Sequence, residues 1–262
     1  MLLSTLVTFI FANNKAVLFA GSGGWENYRH QADIWTIYQD LIKRGFNKNE
    51  ISIACFDDIA ENQKNPYKGQ IFHDEDHSEN VYGGSDSLTY KDKITPQTFY
   101  DMLLNVGTNQ NDNVFIYYDD HGGQGILSVL NEVSGYISVK DLSNALIEMN
   151  NKRLFKNFLF IIEACNSGSI GQFIEYTLTS MNITNIAIIT AARANESSLS
   201  DNYDKWISAP LSNQFTASFL DKIRESPDCS IDELFNYLET STKFSVPLYF
   251  GDNKIKNLKI SD

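Results

Sequence analysis

Asn113-Val-Phe-Ile-Tyr-Tyr118 runs straight into Asp119-Asp120-His121-Gly122-Gly123, and Phe158-Leu-Phe-Ile-Ile162 runs into Glu163-Ala164-Cys165-Asn166-Ser167-Gly168. Both runs are almost uninterruptedly apolar rather than alternating, which is the pattern of strands covered on both faces in a parallel sheet. Three more runs of this kind are Ala16-Val-Leu-Phe-Ala20, Ile51-Ser-Ile-Ala-Cys-Phe56 and Ile186-Ala-Ile-Ile-Thr190. Between the first two of these, Ile34, Trp35, Tyr38, Leu41 and Ile42 recur at helical spacing, followed by basic Lys43 and Arg44 and a stop at Gly45. Residues 141–149, 213–223 and 231–238 read as further helices. Strands alternating with helices predict βαβ units and a three-layer α/β sandwich with a mostly parallel central sheet flanked by helices.

The chain has 262 residues, enough to bury a sizeable core without disulfide or metal staples. There is no internal repeat and no linker-like shift in composition, so residues 15–262 are expected to form one domain. Lys and Arg number 21 against 33 Asp and Glu, a net charge of −12, which disfavours nucleic acid and anionic lipid as partners. Three widely spaced cysteines, Cys55, Cys165 and Cys229, build neither a disulfide framework nor a zinc knuckle.

Residues 1–14 carry no charged side chain and hold an apolar stretch from Leu2 to Ala12. That stretch is too short to span a bilayer as a helix and long enough for a signal peptide, which is the expectation for 1–14. No other segment has the run of ~18 apolar residues that a membrane span needs. The sequons at Asn182 and Asn195 are compatible with a secretory route.

The longest irregular stretch, 57–93, is rich in Asn, Asp, Gly and Lys and contains His73-Asp-Glu-Asp-His77. The two histidines have the spacing of two imidazoles on one helical face, but no helical apolar face surrounds them. They read as solvated loop charges, and no metal or cofactor is expected.

In a parallel sheet the segments after Tyr118 and Ile162 emerge at the same carboxyl edge, where α/β proteins place their ligands. His121 and Cys165 can meet there if their strands are neighbours. A free thiol ionises only near about pH 8.5, so it becomes a useful nucleophile when an imidazole or positive dipole favours the thiolate. His121 would serve as base toward Cys165 and then return the proton to a departing amine. The glycines after His121 allow close backbone approach, so the N–H groups of Gly122 and Cys165 would form an oxyanion hole, worth about 3 kcal/mol per donor. Read alone, Cys165 is more often a small buried hydrophobe and His121 a structural residue; only together at two strand ends do they suggest catalysis. Cys55, inside a strand, and Cys229, just before a helix, receive no role.

Gly21-Ser22, Trp25, Asn27-Tyr28-Arg29-His30-Gln31-Ala32-Asp33 and Asp57-Asp58-Ile59-Ala60 resemble the legumain family of asparaginyl endopeptidases, within the caspase-like cysteine peptidases. Asp120-His121-Gly122, Glu163-Ala164-Cys165, Glu196-Ser197-Ser198 and Tyr249-Phe250-Gly251-Asp252 extend the match over 15–255. The resemblance implies a caspase-like fold and a Cys165–His121 dyad with Asn27 orienting the imidazole. It also implies a pocket for a substrate asparagine made by Arg29, His30, Glu163 and Ser198. Arg29 would donate to the amide carbonyl and Glu163 accept from its NH2. Asp120 fits the aspartate that forms a succinimide linked to ligase-like behaviour in this family.

The substrates implied are polypeptides with Asn, or Asp at acidic pH, at the cleavage position, met in a lysosomal or endosomal lumen or outside the cell. Two departures stand out. Asp204 is displaced by one position from the family's further acidic pocket residue, and the sequence ends shortly after the catalytic stretch without the family's helical prodomain, so the usual autoinhibition and pH-controlled activation are not assumed. The catalytic subunit of GPI-anchor transamidase, which acts within a membrane complex, is similar in the same dyad. His121-Gly122-Gly123, Asn80-Val81-Tyr82-Gly83 and Ser198-Leu199-Ser200 lean toward it. Asp120 and Glu163-Ala164-Cys165 lean toward legumain, because transamidase subunits carry Gly before the histidine and Asp-Thr-Cys at the nucleophile. A non-catalytic binding protein on a peptidase scaffold is the third alternative.

Overall fold

The computed structural model describes residues 14–91, 94–106, 109–129 and 135–260; the expected leader lies outside them except for Asn14. In chain order the elements are β1 (Asn14–Phe19), α1 (Tyr28–Lys43), β2 (Ile51–Ala54), α2 (Pro96–Val106), β3 (Asn113–Asp119), β4 (Gly122–Gly123), β5 (Ile126–Val129) and β6 (Gly135–Ser138). They continue with α3 (Val139–Asn151), β7 (Asn157–Glu163), α4 (Gly168–Ser180), β8 (Ile186–Thr190), β9 (Ser200–Asp204), β10 (Ala209–Asn213), α5 (Gln214–Glu225), α6 (Ile231–Ser241) and β11 (Leu248–Gly251).

Six strands form the central sheet in the order β11-β8-β7-β3-β1-β2, all parallel except the antiparallel edge strand β11. Side-chain alternation along β3 and β7 sorts the core into two halves. Val114, Ile116, Tyr118, Phe158, Phe160 and Ile162 pack with α2, α3 and α4, whereas Phe115, Tyr117, Leu159 and Ile161 pack with α1, α5 and α6. Both faces are covered, which is why these strands read as continuous apolar runs. The expected three-layer sandwich is the observed one.

Several elements were not expected from the sequence. Helix α2 presents Phe99, Met102, Leu103 and Val106 to the core but follows directly on the long polar stretch that masks its start. Helix α4 has a narrow buried stripe, Ile170, Ile174 and Leu178, with Phe173 and Tyr176 exposed. The β4–β5–β6 and β9–β10 sheets are short hairpin-like additions. Helix α1 begins at Tyr28, before its apolar stripe, because its first turns carry the buried polar residues His30 and Asp33. It ends at the expected place, with Gly45 at φ +92°.

The irregular stretch after β2 is anchored by buried Ile59, Ala60, Ile71, Phe72 and Val81. Asn65 Nδ2 donates to the carbonyls of Ile59, Ala60 and Gln70, and the Phe72 N–H donates to the Tyr28 hydroxyl at 2.7 Å. Among the described residues no helix is long and apolar enough to cross a membrane.

Candidate active site

Strands β3 and β7 are neighbours, with Asp119 opposite Glu163 as their last rung. The Asp120 N–H extends that ladder by donating to the Glu163 carbonyl at 3.1 Å. His121 and Cys165 therefore each stand two residues beyond the same rung. A Cβ on Gly122 would lie 2.6 Å from the Cys165 carbonyl oxygen and 2.9 Å from the Ala164 Cβ, so the chain after His121 is pressed against the backbone of Cys165.

The turn carrying Cys165 is pinned by the segment after β8. Asn166, at φ 57°, donates its N–H to the Glu196 carbonyl at 2.8 Å and its side-chain amide to the Ala194 carbonyl at 2.9 Å. The Ala192 N–H donates to the Ser167 hydroxyl at 3.2 Å, and the Gly168 N–H to the Ala192 carbonyl at 2.9 Å. Helix α4 starts only at Gly168, so Cys165 stays on the turn, half-buried, with its Sγ 3.5 Å from the Ser198 carbonyl.

His121 is also half-buried, and its Nε2 lies 2.9 Å from Asn27 Oδ1. Asn27 Nδ2 donates to the Gly23 carbonyl at 2.7 Å, which fixes the amide with its oxygen toward the ring. That oxygen can only accept, so the assignment consistent with the network is a proton on Nε2 and a lone pair on Nδ1. Burial, helped by the Arg29 charge, lowers the pKa of His121 and favours its neutral form.

Beside His121 and Cys165 lies a group of buried polar atoms: His30 Nε2 has no partner, the Asp120 carboxyl also meets the Gly21 N–H, and Glu163 and Ser198 approach each other. Buried polar groups are nearly always satisfied, so polar atoms short of partners at this sheet edge are where a ligand could bond. Arg29 reaches into the region, its Nε donating to Asn213 Oδ1 at 3.0 Å and its Nη1 to the Glu26 carbonyl at 3.1 Å. Burial pushes Glu163 up to about 8; nearby Ser198 and the Arg29 charge pull it back, while the Asp33 charge adds to the rise. Burial likewise pushes Asp120 up to about 7, against the hydrogen bonds of Ser22 and of the His121 N–H to its Oδ1, each 2.6 Å.

Sequence reasoning missed a buried hub behind the pocket. Asn213, at the start of α5, makes no side-chain cap bond; it accepts from Arg29 and donates to Asp33 Oδ2 at 3.0 Å and Asp119 Oδ1 at 2.8 Å. Asp119 also contacts His30 Nδ1 at 2.6 Å and accepts from the Thr216 hydroxyl at 3.2 Å. Burial raises the Asp119 pKa well above the carboxylate range and depresses that of His30.

The expectation that His73 and His77 are solvated loop charges is overturned. His73 is 2% exposed and lies 3.0 Å from Asp33 Oδ1 and 3.2 Å from Asp74. His77 lies 3.0 Å from Asp204 Oδ2. The loop folds back over α1, so each imidazole finds its own carboxylate, and the two do not share a ligand. Asp204 uses its other oxygen to accept from the Trp206 and Ile207 N–H groups, a turn-stabilising role. Cys55 and Cys229 are both buried, and burial raises both thiols.

The profile of the peptidase C13 family matches residues 14–262. A hemoglobinase of Schistosoma japonicum is 32% identical over 94% of this chain and 59% of its own. Legumain of Homo sapiens is 29% identical, covering 93% of this chain and 58% of its own. A vacuolar-processing enzyme delta-isozyme of Arabidopsis thaliana is 36% identical over 70% of this chain and 40% of its own. The chain thus spans little more than half the length of the first two. Caspase-1 of Spodoptera frugiperda superposes with a TM-score of 0.52 over 92% of this chain and 86% of that one, at 10% identity, which shows a caspase-like fold.

Proposed function

The chain belongs to the peptidase C13 family, and from that premise we propose that it is a cysteine endopeptidase cleaving after asparagine, with Cys165 as nucleophile and His121 as base. The observation that carries the reading is the shared rung: the two residues follow Asp119 and Glu163 on adjacent strands, beside the buried polar groups of His30, Asp120, Glu163 and Ser198. In this scheme the Cys165 thiol gives its proton to His121 Nδ1 and the sulfur attacks the substrate carbonyl carbon. The N–H groups of Gly122 and Cys165 stabilise the developing oxyanion. Collapse breaks the C–N bond, His121 protonates the departing amine, and water then hydrolyses the thioester.

Specificity follows from the pocket. A side-chain amide offers one acceptor and two donors. Arg29 supplies the donor for its oxygen, and Glu163 with Ser198 and His30 supplies acceptors for its nitrogen. An aspartate substrate fits better in acid, when its carboxyl is neutral and amide-like. The succinimide at Asp120 is supported by contact: the His121 nitrogen that would attack the Asp120 carboxyl carbon is already held against that carboxyl, and ring closure expels one water.

A leader over 1–14, a single catalytic domain over 15–262 and a lumenal location complete the reading; one group of relatives is named for vacuolar processing. Exposed Asn182 and Asn195 are compatible with that route. The test is hydrolysis of an Ala-Ala-Asn reporter peptide. Activity is expected in the parent protein and a loss of at least about 10³-fold in Cys165→Ser and His121→Ala; equal turnover in either variant refutes the assignment.

A further inference from the structure

His30 is 2% exposed, and its Nε2 has no hydrogen-bond partner. Its other ring nitrogen rests on Asp119, which is secured in turn by Asn213 and Thr216. A buried imidazole with one nitrogen on a held carboxylate and the other bare is the form in which proteins present a metal-ligating histidine. The bare nitrogen is 3.8 Å from Asp120 Oδ1, and the other oxygen of that carboxyl is buried beside Gly21. The His121 ring stands edge-on to His30, centroids 5.1 Å apart, with its Nε2 occupied by Asn27 and its Nδ1 left over. One donor atom from each of His30, Asp120 and His121 lies within 4.8 Å of the other two. Metal–ligand bonds of about 2.0–2.1 Å then require each side chain to close in by less than about 1 Å.

We propose that His30, Asp120 and His121 form a binding site for a zinc-like divalent cation, and that its occupancy switches the peptidase off. Two imidazoles and one carboxylate suit Zn²⁺ better than Mg²⁺ or Ca²⁺, and three protein ligands leave one position for water. The Arg29 guanidinium opposes a cation here, and the ion must displace the proton of the Asp120 carboxyl to bind. An ion on His121 Nδ1 takes the lone pair that would receive the Cys165 proton. The binding site stands independently of the peptidase reading; the switch rests on it. The local spacing in sequence gives no hint of this trio, unlike the His73 and His77 pair.

The experiment titrates Co²⁺ into the purified protein and reads its visible absorption, with Zn²⁺ affinity measured by competition. The expected result is the intense spectrum of a four-coordinate ion saturating at one equivalent, retained in Cys165→Ser. Affinity is expected to fall at least about tenfold in His30→Gln and Asp120→Asn, and about 10–100-fold in Asp119→Asn. Thermal unfolding of the metal-free variants checks their fold, and the spectrum of the unmutated protein decides even if one of them fails. A hydrated six-coordinate spectrum in that protein, or binding lost in Cys165→Ser and untouched in Asp120→Asn, overturns the site. Zn²⁺ that binds without inhibiting reporter hydrolysis overturns the switch. Binding by a protein inactive even when metal-free upholds the site and counts against the peptidase reading instead.

Discussion

At Gly122 a hydrogen atom stands where any side chain would collide with the backbone of Cys165. The demand is for close approach rather than for an unusual φ, so even alanine must push the chain after His121 away from the turn that carries Cys165. Gly122→Ala is expected to lower kcat/KM on an asparaginyl reporter by at least about 100-fold, the size of losing one oxyanion donor, while circular dichroism stays native. Unchanged kinetics would remove Gly122 from the site. That His121, Gly122 and Cys165 stand at one sheet edge was legible because each follows the end of an apolar run, and α/β folds place ligands at the carboxyl edge of a parallel sheet. The hub of Asn213, Asp33 and Asp119 was not legible. Asn213 occupies the position of a helix N-cap, and a cap is how an asparagine there reads; only the fold reveals that its amide spans Arg29, Asp33 and Asp119. His73 looked solvated for a related reason, since nothing local to 57–93 shows that the loop is laid over α1.

Between elements, the tightest approach of this kind among the described residues is α4 against β11. A Cβ on Gly171 would fall 2.2 Å from the ring of Phe250, which fills the groove under the helix. Gly171→Ala gains up to about 1 kcal/mol of helix propensity. Overpacking against the ring costs about 1–3 kcal/mol. A net loss in denaturant stability is therefore expected, partly restored by Phe250→Leu, and a stabilised Gly171→Ala would show that α4 sits farther from the sheet. The same contact explains why β11 escaped sequence reading. It is a four-residue antiparallel edge strand whose end, Gly251 at φ +97°, looks like a turn, and its place is set by α4 and β8 rather than by its own pattern. The five parallel strands needed no such help, because burial on both faces writes itself into composition.

Across the whole molecule, the buried titratable groups give stability a definite dependence on pH. Folded Glu163 keeps its proton to about pH 8, whereas the unfolded side chain loses it near 4.5; Asp120 does so to about 7 against 3.8. In both cases the folded state binds the extra proton, so stability falls as pH rises through those windows. Burial alone would depress His73, but Asp33 and Asp74 hold it up at about 9 against 6.5 unfolded. Its contribution is full below 6.5 and is lost as pH rises through about 9. His30 and His121 have lowered values and act in the opposite sense, only below about 6.5, where the unfolded imidazoles charge. Between pH 6.5 and 8 the surviving slopes agree, each proton contributing about 1.4 kcal/mol per pH unit at most. Denaturation should show stability falling across that window, with a shallower fall in Glu163→Gln; a rise would contradict the assigned shifts. Stability is therefore expected to be higher in mild acid than above pH 8. The proposal that the Cys165 thiol and the His121 imidazole work in one asparagine-reading cleft is tested most directly by mapping the adduct formed with an Ala-Ala-Asn peptide bearing an electrophilic carbon at the scissile position. The account predicts one adduct, on Cys165, lost in His121→Ala and suppressed in Arg29→Ala. Labelling of Cys55 or Cys229 instead, or of Cys165 at an unchanged rate without His121, would contradict it.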